Sequence, residues 1–398
     1  MIINSIGFKN FKIKKNLASV KKEFNLLILD YYKNKKNILN TLSKNYKYSA
    51  NIKIVKKLKK KSFFRIIGMG GSILGSEAIY SFLKKKIKKN FLFISNLQND
   101  LNLKKDKRTQ VNIIISKSGN TLETICNSNT FLRNNQKNII ISELRDNYLN
   151  KLAAELKSDV IEHKNYVGGR YSVLSEAGMI PAELMGLSAI KFKQFNYLIK
   201  NKIFVQNLLL NVQSIYFNAK KGRFLSFILN YDSSSEPFFK WYQQLVSESL
   251  GKKSKGVIPV ISTMPKDNHS LMQYYLDGQQ KAFYTFFFSH DRSEIKINNK
   301  RILKPFNFLK GKKINEVIYS QNIATQNVFN SKKIPFRSFE IFNKDEKSLG
   351  TLFTFFILET ILLGRLLKVN PFDQPAVELI KKETKKILLR KTTKNNFR

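Results

Sequence analysis

The chain has 398 residues, room for two domains at roughly 100–200 residues each, and its 42% hydrophobic content excludes a wholly disordered polymer. Lys plus Arg number 71 against 28 Asp plus Glu, a formal net charge of +43, so an anionic partner has to be weighed. A single cysteine, Cys126, excludes an intramolecular disulfide and a thiolate zinc cluster, and His163, His269 and His290 leave little room for a histidine-rich metal site.

The stretch up to about Lys61 is rich in Lys and Asn, and Phe24, Leu27, Ile28, Tyr31 and Tyr32 fit one helical face. Met1–Lys15 lacks the continuous apolar run of a secretory signal. A strand–turn–helix pattern follows: Phe63–Gly68 strand-like, Met69–Gly75 glycine-rich, Glu77–Leu83 helical. Phe91–Ile94 is the next strand. Val111–Ser116 is a β-branched run leading into a helix at Thr121–Leu132, and Lys137–Ser142 is a further strand. The pattern repeats in a second half, with strands at Phe224–Leu229, Gly256–Ser262, Ala282–Phe288 and Ser338–Phe342. Helices there are predicted at Pro237–Ser249, Leu271–Leu276 and Leu349–Leu367. Short apolar strands alternating with helices predict α/β layers with parallel sheets flanked by helices, joined near Phe192–Asn211. The apolar run Leu352–Leu363 contains Thr354, Glu359 and Thr360 and is short for a bilayer span, so it reads as a buried helix. A soluble, cytoplasmic protein is expected, with no membrane partner. From Glu378 onward the chain is a basic helix.

The positive charge is spread through the chain, as between Lys56 and Lys61, Lys84 and Lys89, and Lys381 and Lys391. That distribution reads as solvated lysines, with steering of an anionic ligand as the functional reading. Nucleic acid comes third, because no zinc finger, no RNP-like aromatic stretch and no other nucleic-acid motif is present.

Several motifs can carry chemistry. Gly68-Met69-Gly70-Gly71-Ser72-Ile73-Leu74-Gly75 follows a strand and opens a helix, which lets a ligand approach the backbone. Ile73 stands where a dinucleotide fingerprint needs glycine, and no Gly-Lys-Ser/Thr ending marks a P-loop. Ser116-Lys117-Ser118-Gly119-Asn120-Thr121 also ends a predicted strand, and clustered hydroxyls and N–H groups there suit a phosphate dianion; an N-capped helix is the plain alternative. Ligands of open parallel sheets bind at that edge. Arg170, on the Gly168-Gly169 turn, can stabilise negative charge on a reacting oxygen or form a surface ion pair. Glu248, in Gln244-Leu245-Val246-Ser247-Glu248, can take a carbon-bound proton or stand as an exposed helical Glu. His269 begins a short helix. Gln374 and Lys381, within Asn370–Lys381, lie two helical turns apart on one face.

Taken in order, these motifs resemble the glucose-6-phosphate isomerase family from about Phe63 to Lys381. The stretches Gly168–Ser175 and Asn370–Lys381 look like that family's signatures. The resemblance implies two sugar-isomerase (SIS-type, flavodoxin-like) domains, at 51–195 and 205–367. An N-terminal helical segment at 1–50 and a C-terminal helix at 368–398 that completes the active site would flank them. It implies aldose–ketose isomerisation of glucose 6-phosphate and fructose 6-phosphate through a cis-enediol(ate). Ser72, Ser116, Ser118 and Thr121 would hold the phosphate, with Gly71 and Lys117 lining the site. Glu248 would be the base, Arg170 would stabilise the intermediate, His269 would open the ring with Lys381, and Gln244 and Gln374 would contact the substrate. No metal or organic cofactor is implied. A homodimer is implied, with the active site at the interface and His269 supplied by the neighbouring subunit. In two places the chain departs from the family pattern. Asn120 stands where Thr is usual, and Lys252, Lys253 and Lys255 follow Glu248 where acidic residues are common. The rival readings are a non-catalytic sugar-phosphate-binding regulator on the same domains, or an isomerase of different hexose phosphate specificity.

Overall fold

A computed structural model describes residues 3–11, 16–49, 52–97, 110–133, 136–290 and 295–395. Its strands, in chain order, are β1 (Ile6–Lys9), β2 (Phe63–Gly68), β3 (Asn90–Ile94), β4 (Val111–Ile115), β5 (Lys137–Ser142), β6 (Asp159–Glu162), β7 (Leu225–Asn230), β8 (Ile258–Thr263), β9 (Ala282–Ser289) and β10 (Phe336–Ile341). Every residue of β4 is buried. A strand apolar on both sides has to be covered on both, which is the place of an inner strand of a parallel sheet. β4 lies inside a five-stranded sheet of order β3-β2-β4-β5-β6, parallel throughout. The register pairs Gly68 with Ile115, so the loops after β2 and β4 emerge side by side at the carboxyl edge.

The second sheet has the order β1-β10-β9-β7-β8. Its pairs are parallel except at the β1 edge, where Phe8 faces Phe339 in an antiparallel pair. The sequence places this stretch in a helical segment, and the structure corrects that. Ile6–Lys9 is only 4 residues long, and its pairing edge lies more than three hundred residues away, so no local pattern announces it.

One apolar cluster runs through both halves, taking Ile66, Ile113 and Ile139 from one sheet and Ile228, Phe287 and Phe339 from the other. Helix Glu346–Leu367 lies inside it. The helix is long and apolar enough to cross a membrane, yet 89% of its apolar window is buried within the fold. Asp345 caps its start by accepting from the Ser348 N–H (2.7 Å). The expected join near Phe192–Asn211 is itself helical: Asn201 accepts from the Phe204 N–H (3.0 Å) and starts helix Lys202–Lys220. Helix Ile314–Ser331 is not foreshadowed by periodicity, because its buried residues include the polar Asn322 and Gln326.

Glu359, the one acidic residue in the apolar run, pairs with Arg337 of β10, and both side chains are fully buried. Arg337 also donates to Asn211 Oδ1 (2.8 Å), Thr285 Oγ1 (2.9 Å) and the Tyr242 hydroxyl (3.2 Å), and Tyr242 donates to Glu359 Oε1 (2.7 Å). The network ties helices Lys202–Lys220, Glu236–Leu250 and Glu346–Leu367 to the sheet. Removing one partner strands a buried charge. Glu359→Leu is expected to cost about 3–5 kcal/mol in denaturant unfolding, and adding Arg337→Met is expected to recover most of it.

Candidate active site

Helix Glu236–Leu250 begins with Glu236 and Pro237 and is C-capped by Gly251. Gln244 and Glu248 lie one turn apart on it, and Gln244 Nε2 donates to Glu248 Oε1 (2.9 Å). The turn Gly169–Leu174 brings Arg170 to the same place. The Arg170 side chain is 2% exposed and Glu248 is 25% exposed, with Nη1 3.2 Å from Glu248 Oε2. Nη1 also donates to Gln374 Oε1 (2.5 Å), and Nε donates to Ser249 Oγ (2.8 Å). Nη2 donates to the carbonyls of Pro371 (2.7 Å) and Asp373 (3.0 Å). The backbone of Arg170 is held as well, its carbonyl accepting from Trp241 Nε1 (3.1 Å). Arg170 is thus no surface ion pair. It is a buried cation with each nitrogen committed, the pairing a buried guanidinium requires.

The glycine-rich loop packs directly against this turn. Ser172 Oγ contacts the Gly71 carbonyl (3.2 Å), and a methyl on Gly71 would stand 2.1 Å from the Gly169 carbonyl carbon. Gly70 lies beside Gln244: a methyl there would be 2.7 Å from Nε2. Ser72 is buried in the same loop. On the neighbouring β4 loop, Ser116 Oγ and Thr121 Oγ1 share a hydrogen bond (2.8 Å). Thr121 precedes helix Leu122–Phe131 without capping it with its side chain, and Ser118 Oγ accepts from the Asn120 N–H (3.2 Å). Asn120, the departure from the usual Thr, is exposed and uses its Oδ1 to accept from the Tyr148 N–H (2.9 Å). The Lys117 ammonium donates to the Asn165 carbonyl (2.6 Å) and lies 3.7 Å from Glu143 Oε1. Two hydroxyl-bearing loops emerge at adjacent strand ends, each leading into a helix, an arrangement whose hydroxyls and N–H groups suit an anion.

Two expected residues are exposed. His269 is exposed on the connection after β8, at the end of a short 3-10 turn. Lys381 lies on the exposed helix Val377–Asn395 and pairs with Glu378 (2.7 Å). Among the described residues no hydrogen bond joins either to the Arg170 cluster. Arg170, Glu248, Gln244 and Gln374 are brought together, with Gly71 and Ser72 against them. Ser249, Tyr171 and Trp241 join the cluster without having been singled out, and Lys252, noted only as a departure from the family pattern, joins it too. Ser249 Oγ meets the Tyr171 hydroxyl (2.9 Å), which also donates to the Pro371 carbonyl (3.0 Å). All of them sit inside the quoted motifs or within a helical turn or two of Glu248, but what each touches depends on chain that is distant in sequence. Among the described residues no group of three His, Cys, Asp or Glu side chains is arranged to hold a metal.

A buried lysine braces the back of the Arg170 turn. Lys193 donates to the carbonyls of Thr41 and Leu174 beneath the rings of Tyr46 and Tyr48. Burial holds its ammonium well below the usual lysine range, with the Glu176 charge opposing that shift.

Residues 56–397 match the family model described as Phosphoglucose isomerase. The chain belongs to the phosphoglucose isomerase family. Among its relatives is a glucose-6-phosphate isomerase of Methanocaldococcus jannaschii, 31% identical over 355 residues, covering 84% of this chain and 86% of the relative. A glucose-6-phosphate isomerase of Mycoplasmopsis pulmonis is 30% identical, covering 82% of each. The fold is shared with a solved hypothetical protein of Thermus thermophilus (TM-score 0.81, 20% identity, 93% of this chain and 94% of that one). A solved glucose-6-phosphate isomerase of Chlamydia trachomatis also shares it (TM-score 0.75, 16% identity, 98% and 89%).

Two expectations follow. Gly71→Ala forces the glycine loop off the Arg170 turn; it is expected to cost about 1–3 kcal/mol or more of stability in thermal unfolding and to weaken inorganic phosphate binding. Lys193 binds a proton more readily unfolded than folded, so stability rises with pH between its lowered folded value and about 10.4. Urea unfolding at pH 7 and pH 10 is expected to show wild type gaining on Lys193→Met as pH rises.

Proposed function

We propose that this enzyme interconverts glucose 6-phosphate and fructose 6-phosphate, with the phosphate in the Ser72 and Ser116–Thr121 loops and the reacting carbons at Glu248. The observation that carries the reading is the Gln244–Glu248–Arg170–Gln374 cluster, set against a glycine loop at the carboxyl edge of a parallel sheet, in a chain of the phosphoglucose isomerase family. An aldose–ketose shift moves one proton between neighbouring carbons, and a single carboxylate on one face of the substrate can take it from C2 and return it to C1. Glu248 is open enough to meet substrate and held in one orientation by Gln244 and Arg170. Arg170, itself 2% exposed, places a fixed positive charge where the enediolate oxygens become negative. The phosphate is remote from the reacting carbons, so its binding energy orients them.

Ring opening needs a proton moved at the ring oxygen, and His269 and Lys381 are the groups assigned to it. Both are exposed and neither hydrogen-bonds to the Arg170 cluster among the described residues, which supports a homodimer in which the partner's copy of residue 269 completes each site. The substrate is a membrane-impermeant dianion, and the reading carries a cytoplasmic location with it.

Coupled-dehydrogenase assay of glucose 6-phosphate formed from fructose 6-phosphate tests the activity. Glu248→Gln is expected to lower kcat by roughly 10²–10⁴ while the fold and phosphate binding persist. Absence of turnover by folded wild type would overturn the reading. Mixing refolded Glu248→Gln with His269→Ala, each inactive alone, is expected to restore about a quarter of wild-type activity, because a two-fold heterodimer rebuilds one intact site. No recovery would place the histidine's work within a single chain.

A further inference from the structure

Lys252 follows the C-cap Gly251 of the Glu248 helix, in the basic stretch that departs from the family pattern. The side chain is 14% exposed, and its ammonium reaches the Asn370 carbonyl, the Asp373 carbonyl (2.6 Å) and Asp373 Oδ1 (2.6 Å). An ammonium has three donors, and this one commits them all to one short loop. The loop is braced internally: Asn370 Nδ2 donates to Asp373 Oδ2 (3.0 Å), and the Phe372 N–H donates to Asn370 Oδ1 (3.1 Å). Hydrogen bonds from outside reach the loop from Arg170 and Tyr171 on one side and from Lys252 on the other, while Pro371 packs close to Gly364. The next residue is Gln374, which shares Arg170 Nη1 with Glu248. Beyond Lys252 the backbone turns sharply: Lys253 and Ser254 take left-handed φ of 53° and 54°, uncommon for non-glycine residues.

We infer that Lys252 is a positioning residue, clasping the Asn370–Asp373 loop to the end of the Glu248 helix and so holding Gln374 and Arg170 in the arrangement Glu248 uses. The inference rests on the isomerase reading and adds to it a residue that touches no substrate. An exposed Lys–Asp bridge contributes little by itself. Here two of the three acceptors are backbone carbonyls, so the clasp constrains main chain and not just a mobile carboxylate.

The test compares wild type, Lys252→Met, Lys252→Arg and Asp373→Asn. It measures kcat, KM and calorimetric affinity for inorganic phosphate and for a five-carbon aldonic acid 5-phosphate, which carries a carboxylate where the enediolate would form. In Lys252→Met, kcat/KM and aldonate affinity are expected to fall roughly 10–100-fold, the kinetic loss mainly in kcat, with phosphate affinity within about twofold of wild type. Lys252→Arg is expected to recover part of the loss, and Asp373→Asn to show the same selective weakening on a smaller scale. Unchanged aldonate affinity in Lys252→Met overturns the inference. So does an equal loss of phosphate and aldonate binding, which marks a general loosening. If Lys252→Met does not fold, Asp373→Asn decides by the same comparison. A wild type that binds both ligands without turnover refutes the isomerase reading, and the aldonate-to-phosphate contrast then judges the clasp alone.

Discussion

A guanidinium cannot be buried unpaired, and Arg170 is buried. Its nitrogens need acceptors, and the acceptors come from Ser249 and Glu248 on one helix and from Pro371, Asp373 and Gln374 near the end of the chain. The residue itself belongs to the turn after the first sheet, and Gly71 of the first glycine loop can lie against that turn only because it has no side chain. Chain segments separated by up to about three hundred residues are thus obliged to meet at one cation. The candidate site is the consequence of that meeting: the carboxylate proposed as base, two amides and the glycine loop share a boundary because Arg170 has to be satisfied there.

The second buried arginine solves a different problem. Arg337 and Glu359 sit in the middle of the apolar core, where replacing both by packed hydrophobic groups costs little and removing one costs a great deal. Their partners Tyr242 and Asn211 bind helix Glu236–Leu250 to the second sheet at the level of Tyr242, two turns before Glu248. One cation therefore places the helix against its sheet, and the other places the functional end of that helix against the first half of the molecule. Lys252, just past the helix, adds the contact that holds the last loop to it. The helix is held along its length, which suits the role proposed for the Glu248 carboxylate, serving two neighbouring carbons without moving far.

Much of the fold was legible because it is written in local patterns. β4 reads Val-Asn-Ile-Ile-Ile, a run that only a doubly covered strand explains. The glycine loop and the serine loop announce themselves by falling between a strand and a helix. Other elements were hidden for definable reasons. β1 is too short to carry a period and owes its existence to an edge of β10. Helix Ile314–Ser331 buries Asn322 and Gln326, so its inward face does not read as apolar. Lys117 offered a charge beside the serine loop, yet its ammonium found the Asn165 carbonyl instead, a choice made by distant chain.

The sequence by itself determined the alternation of strands and helices, the residues able to bear the chemistry, and the family to which the motifs point. These are matters of composition and short spacing, governed by periods of two and 3.6 residues and by the chemistry of single side chains. Only the tertiary structure decided that Arg170 is buried and saturated rather than a surface ion pair, and that the basic stretch after Glu248 turns Lys252 toward Asp373. It also decided that His269 and Lys381 are exposed and, among the described residues, make no hydrogen bond to the Arg170 cluster. Each of those depends on what is brought near from far along the chain, and hydrogen-bond satisfaction in a desolvated place is settled by neighbours in space.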